Sequence, residues 1–164
     1  MKRIFLVRHA KSEHGSQYSS DYDRPLNKRG RTDAQMMAEQ LKSIISDPAF
    51  FNISPALRAK ETAQFFISAF SPLQSDQINY ETQLYLPTVS VLWETIKKTP
   101  AQYDSLILFS HNMALEDLVN HYQRGFRMRT CSIVELYHPD ESWETAEPSK
   151  TKFRNHFYPK MYKQ

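Results

Sequence analysis

The chain has 164 residues with 40% hydrophobic and 13% aromatic content, enough apolar mass for one domain with a real core and too much for wholesale disorder. Its formal net charge of +3 suits an anionic substrate and is too small to argue for nucleic acid. Cys131 is the only cysteine and there are three glycines, which excludes an internal disulfide, a Cys-rich zinc site and a Gly-rich nucleotide loop, so any phosphate site has to be built from side chains.

Residues 1–9 hold too few apolar positions for the core of a signal peptide, and no stretch approaches the length of a membrane span. The expected address is a reducing cytoplasm, with no membrane partner.

Ile4, Phe5, Leu6 and Val7 form an unbroken apolar run, which predicts a strand buried on both faces in the middle of a parallel sheet. It ends in Arg8 and His9, a fixed cation beside an imidazole. In open α/β sheets ligands bind beyond the carboxyl ends of the strands, so this dipeptide reads either as an anion site with a nucleophile in it or as a solvated strand end. Residues 10–30 are polar, a loop too long to be idle. A helix follows, capped by Asn27, with Ala34, Met37, Ala38, Leu41, Ile44 and Ile45 at helical spacing as far as Asp47-Pro48.

Ala49 to Ile53 predicts a second strand, and Ser54-Pro55 a capped helix start running through Leu57, Ala59, Thr62, Ala63, Phe66, Ile67 and Phe70. Arg58 falls in the first turn, where the helix dipole opposes a cation by about 0.3–1 kcal/mol; an anion bound there offsets the cost. Residues 77–81 predict a third strand, and Pro87 or Thr88 opens a helix with Val91, Leu92, Thr95 and Ile96 inward. Ser105 to Phe109 is a further buried strand, ending in Ser110-His111-Asn112. Asn112 reads as the cap of a helix carrying Leu115, Leu118, Val119 and Tyr122, with Glu116 and Asp117 near its favourable end.

Strand and helix thus alternate, which implies an α/β three-layer sandwich: a mostly parallel sheet with helices on both faces, in a single domain over residues 1–164. Cys131 to Tyr137 and Thr151 to Tyr158 read as strands joined by a polar turn, hence an antiparallel pair at a sheet edge. The basic tail (Lys150, Lys152, Arg154, Lys160, Lys163) reads as a solvated edge strand.

If the strands are parallel neighbours, Arg8-His9, Arg58 and His111 converge on one carboxyl edge. Two guanidiniums make bidentate contact with phosphoryl oxygens, which is the positioning and charge stabilisation that phosphoryl transfer asks for, with no metal and no cofactor. His9 would attack phosphorus as neutral imidazole, its proton disfavoured by the neighbouring arginines, and water would then hydrolyse the phosphohistidine. His111 would donate to the transferring group.

Four segments, LVRHAKS, RPLNKRGRTDA, ISPALRAKETA and LFSHNMAL, resemble in content and order the histidine phosphatase (phosphoglycerate mutase-like) superfamily, as far as about residue 120. The short chain most resembles the SixA-type phosphohistidine phosphatases. The resemblance implies that His9 accepts the phosphoryl group, that Arg8 and Arg58 bind it, and that His111 is the second histidine of the pocket. It also implies that Ser12 and Asn27 lie near the phosphate and that Gly30 serves close packing. Ala10 stands where many members have glycine. The acid that larger members use to protonate the leaving group has no clear counterpart; Glu81 is the first candidate, against its reading as an exposed strand-end glutamate, with Glu13, Asp21 and Asp23 behind it. Lacking such an acid, typically worth about 10²–10⁴ in rate, would favour phosphohistidine over alkyl phosphates.

Three functions stand from the sequence. They are a protein phosphohistidine phosphatase, a phosphatase of small phosphate esters, and a phosphate-binding or interaction module without turnover. All three take a phosphorylated partner. His14, His121, His138 and His156 read as surface or packing histidines, and Tyr85, Trp93, Trp143 and Cys131 as packing. Arg24 either pins the long loop by an ion pair or adds charge to the pocket.

Overall fold

Ile4, Phe5, Leu6 and Val7 are fully buried, as an apolar run without polar alternation requires, and form the centre of strand β1 (Lys2–Arg8). The structure, a computed structural model, describes residues 1–163. The other strands are β2 (Ala49–Ile53), β3 (Ile78–Tyr80), β4 (Ser105–Ser110), β5 (Ile133–His138) and β6 (Lys152–Phe157); the helices are α1 (Lys28–Lys42), α2 (Leu57–Phe70), α3 (Val89–Lys97) and α4 (Ala114–Asn120). The six strands make one sheet in the order β3-β2-β4-β1-β5-β6.

β1 is central but not wholly parallel. It pairs parallel with β4, Leu6 opposite Leu108, and antiparallel with β5, Leu6 opposite Val134. The parallel half carries the crossover helices and the antiparallel half is closed by β6. Alternate side chains of each strand feed two cores. Ile4, Leu6, Leu106, Leu108 and Val134 pack with α3 and α4 through Leu92, Ile96, Leu115 and Leu118. Phe5, Val7, Phe51, Ile107 and Phe109 pack with α1 and α2 through Met37, Leu41, Ala63 and Phe66. The result is the expected α/β three-layer sandwich. Each fully buried Leu, Ile or Phe contributes about 1.5–3 kcal/mol, so both layers are strongly held to the sheet that carries the site.

Local expectations failed where a polar residue had a tertiary task. Ser54 does not cap α2, which begins at Leu57 behind Ala56, without a side-chain cap; the Ser54 hydroxyl is drawn to His111 instead. Asn112 does not cap α4, which begins at Ala114; its amide donates to Glu116 and to the Met128 carbonyl. Glu116, placed at that helix start by its charge, is buried and accepts from the Met128 N–H at 2.8 Å. Ile44 lies beyond the end of α1 and is 38% exposed. Cys131 precedes β5 with φ of +60°, its N–H turned to the Arg8 and His9 carbonyls. Of the surface and packing readings of His138, the second holds: it is buried and bonded to Thr145.

No helix among the described residues is long and apolar enough to cross a membrane.

Candidate active site

Three parallel strands end level with one another. Arg8 pairs with Ser110 across the β1–β4 ladder, and the Ser54 N–H continues the β2–β4 ladder by donating to the Phe109 carbonyl. His9 and His111 are therefore the next residues outward on β1 and β4, and Ser54, level with Ser110, lies one residue short of them on β2. The His9 and His111 ring centroids lie 5.2 Å apart. A cavity of about 410 Å³ opens above them, lined by Arg8, His9, Ser12, Asp21, Arg58 and His111 among others. That is ample for a phosphoryl group and part of what carries it.

His9 is 7% exposed. Its Nδ1 lies 2.8 Å from the Ala10 carbonyl, an acceptor only, so Nδ1 holds the proton and Nε2 keeps its lone pair. Arg58 Nε donates to that Nε2 at 3.3 Å. Burial lowers the His9 pKa to about 3, with His111, Arg58 and Arg8 acting in the same direction and the Ala10 bond against it. The ring is neutral at ordinary pH.

His111 is also buried and lowered to about 3, first by burial and then by Arg58. Its Nε2 is 2.7 Å from Ser54 Oγ, while Nδ1 is buried without a protein partner. Arg8 is held by the Met128 carbonyl at 2.9 Å, and its Nε is likewise unpartnered. An oxyanion placed between these groups would meet donors with no competing bond to break.

The position of Arg58 follows from a chain of small contacts. Thr62, one turn later on α2, donates its hydroxyl proton to the Arg58 carbonyl at 2.7 Å and accepts the Ala10 N–H at 2.9 Å, so it fastens the turn after β1 to the helix carrying Arg58. The outer face of Arg58 is covered by the chain's own anion: Nη2 donates to the Asp21 carboxylate at 2.9 Å and Nη1 to the Asp21 carbonyl at 2.7 Å. Tyr85 and Arg24 donate to the same carboxylate. Partial burial works against ionisation of Asp21, but the Tyr85, Arg24 and Arg58 hydrogen bonds outweigh it and hold the carboxyl well below the usual carboxylate range. The anion that Arg58 calls for at a helix start is thus supplied from within.

The structure brings Arg8, His9, Arg58, His111 and Ser12 to one cavity. Ser12 Oγ accepts from Arg24 Nη1 at 2.8 Å. Two expected residues are elsewhere. Asn27 caps α1 by accepting the Gly30 N–H at 2.8 Å, and the cap uses up its side-chain oxygen. Glu81 caps the 3-10 turn Thr82–Leu84, accepting from the Gln83 N–H, and neither residue lines the cavity. Arg24 does both of the things it was read for, pairing with Asp21 and lining the cavity. Missed were Ser54, Thr62 and Tyr85. Ser54 carried a signal, a hydroxyl at a strand end, that a helix cap explained equally well; Tyr85 carried none. Among the described residues no group of three acidic, histidine or cysteine side chains is arranged to hold a metal ion.

Comparison with known proteins agrees with this geometry. The family model for the histidine phosphatase superfamily (branch 1) matches residues 4–83. An uncharacterized chloroplastic protein of Arabidopsis thaliana is 27% identical over 154 residues, covering 88% of this chain and 70% of that protein. The solved structure of the protein histidine phosphatase SixA complexed with tungstate superposes with a TM-score of 0.80 at 23% identity, over 98% of this chain and 99% of that one. A phosphoserine phosphatase mutant of Entamoeba histolytica in complex with phosphoserine gives 0.68 at 12% identity, over 95% and 96%. At these identities the two structures speak for the fold. With the sequence match covering β1 through β3, and a His-Arg pocket at the carboxyl edge of the sheet, the chain is similar to the histidine phosphatase superfamily.

Proposed function

We propose that this phosphatase removes the phosphoryl group from phosphohistidine carried on a protein, through a phosphohistidine of its own at His9 and without a metal. The observation that carries the reading is the pair of contacts on His9: Nδ1 fixed on the Ala10 carbonyl and Nε2 facing the cavity beside Arg58. The lone pair of Nε2 attacks phosphorus, the bond from phosphorus to the substrate nitrogen breaks, and its electron pair leaves with the substrate imidazole. Arg58 and Arg8 hold the equatorial oxygens, and His111 donates from Nδ1. Water then attacks phosphorus from the vacated side, inorganic phosphate leaves and His9 is restored. Ser12 lines the phosphate cavity; Arg8 and Arg58 supply the positive charge that a metal provides elsewhere.

The substrate class follows from Asp21. It is held ionised by its hydrogen bonds, so it has no proton ready to give. With the other ring nitrogen of the substrate phosphohistidine protonated, neutral imidazole leaves, its conjugate acid near about 6.5, and it needs no proton from the enzyme. An alkoxide, whose conjugate acid resembles water at about 15.7, needs a general acid. A cytoplasmic location goes with this reading.

The test compares a histidine-phosphorylated protein with an alkyl phosphate, each with and without EDTA. Wild type is expected to prefer phosphohistidine by at least about 10²-fold, the low end of what a missing general acid costs. His9→Ala should abolish turnover of both. Equal rates on the two substrates would remove the substrate assignment, full activity in His9→Ala would remove the nucleophile, and inactivation by EDTA would remove the metal-free route.

A further inference from the structure

A second cavity, of about 580 Å³, lies on the sheet's antiparallel side, lined by Phe126, Arg127, Arg129, His156, Tyr158 and Lys160. Three of these are cations and none is an acid. Arg129 and Lys160 are exposed and have no ion-pair partner among the described residues, and Arg127 is 84% exposed on its side chain with one long contact to Glu116 at 3.5 Å. The floor is aromatic: Phe126 meets His156 edge-on at 4.6 Å between centroids, and His156 meets Tyr158 at 4.9 Å. Burial lowers the His156 pKa, with Arg129 adding to it, and its Nε2 is buried without a partner.

The groove is joined to the phosphate cavity. Arg129, Tyr158 and Lys160 also line an adjoining basin whose other wall includes Thr130, and Thr130 in turn lines the phosphate cavity. The basin adds Arg29 and Lys163, which share the single carboxylate of Asp33. The segment 126–130 therefore serves both places. Its Met128 carbonyl anchors Arg8, while the side chains on either side, Arg127 and Arg129, face the groove. A polypeptide whose phosphorylated residue enters the phosphate cavity has a continuous positive trough in which to lay its neighbouring residues.

Resting on the phosphohistidine reading above, we propose that this groove binds an acidic segment flanking the phosphorylated histidine of the substrate protein. Spaced guanidinium and ammonium groups over an aromatic floor suit Asp and Glu side chains interspersed with an apolar one. Exposed charge pairs of this kind are individually weak, act mainly by steering, and are screened by salt. The trough therefore sets selectivity among phosphoproteins without taking part in the chemistry.

The test uses two synthetic peptides with a non-hydrolysable phosphohistidine analogue at the centre, one with Asp/Glu flanks and one with Ser/Asn flanks, as competitive inhibitors of aryl phosphate hydrolysis. The acidic peptide is expected to inhibit wild type about tenfold more strongly at low salt, a sum of several such pairs. The advantage should disappear in the double variant Arg129→Ser, Lys160→Ser and at high ionic strength, with kcat/KM for the aryl phosphate unchanged. Equal inhibition by both peptides would overturn the groove while leaving the phosphohistidine reading intact. Failure of both peptides to inhibit would overturn that reading and the groove with it. Tighter inhibition by an oligonucleotide of equal charge, abolished by the same double variant, would reassign the groove to nucleic acid and overturn the proposal.

Discussion

The Ser54 hydroxyl stands 2.7 Å from His111 Nε2, and this short contact decides which nitrogen of His111 carries its proton. If Ser54 donates, Nδ1 holds the proton and can donate it to an oxyanion; without that partner the ring is free to present a lone pair there and repel the anion. Ser54 is fully buried, and among the described residues its only other side-chain hydrogen bond is a long one from the Ala56 N–H at 3.4 Å, so the hydroxyl proton is available for the imidazole.

Ser54→Ala should lower kcat for an aryl phosphate by about tenfold, the rate equivalent of roughly 1.4 kcal/mol, with KM little changed. Imidazole nitrogen NMR shifts would report the matching change in the His111 tautomer. An unaltered tautomer alongside lost activity would make Ser54 a packing residue.

Acid should act on stability long before it acts on catalysis. Both active-site histidines are lowered to about 3, against about 6.5 in an unfolded chain. Below 6.5 the unfolded state binds protons that the folded state refuses, so stability is full above about pH 6.5 and declines as pH falls toward 3. In kcat/KM, by contrast, the acidic limb set by the free enzyme should lie near 3, once the substrate's own second ionisation near about 6 is allowed for. Thermal melts from pH 4 to 7 should show a falling midpoint in wild type and a shallower fall in His9→Asn. A catalytic limb near 6.5 would mean that His9 is not held neutral by its surroundings.

Asp21→Asn removes the negative charge that covers Arg58 at 2.9 Å. The variant should bind tungstate or vanadate more tightly, by about three- to tenfold, because the guanidinium no longer has a carboxylate to leave. Isothermal titration in low salt reads this directly. Weaker oxyanion binding would show that Asp21 positions Arg58 more than it competes with the ligand.

Gly30→Ala should destabilise the fold by about 1–3 kcal/mol, the usual cost of forcing atoms into a filled space. A Cβ at this first-turn position of α1 would collide with the backbone carbonyl of Lys11, whose oxygen also accepts the Asn27 N–H at 3.0 Å. The loop leaving β1 would have to move, so denaturant melts should record lost stability together with a raised KM.

The layers and the sheet were legible because they follow from local regularities: apolar runs in Ile4–Val7 and Leu106–Phe109, helical spacing in α1 and α2, and the lack of a helix between β5 and β6. The pocket was legible where an arginine or histidine stood at or immediately beyond the end of a strand, as with Arg8, His9 and His111. It failed where one residue type serves two purposes. Asn27 fits both a helix cap and a phosphate neighbour in the sequence, and the structure uses it as the cap, accepting the Gly30 N–H; Ser54 fits a helix end in the sequence but satisfies a ring nitrogen. Asp21 and Tyr85 meet across a span of 64 residues, a proximity no local pattern encodes. The reading of the basic tail as a solvated edge strand describes Lys152 and Arg154 on β6, while Lys160, equally exposed, lies beyond that strand and shares a groove with segment 126–130.

The mixed pairing of β1 has a consequence for biosynthesis. The strand that runs into His9 is made well before both of its ladder neighbours, β4 and β5, with Leu6 matched to Leu108 on one side and Val134 on the other. Until translation passes that point the leading segment has no strand to join. A nascent chain therefore exposes an unsatisfied apolar ribbon, and the sheet edge next to His9 is completed only once β4 and β5 have been made.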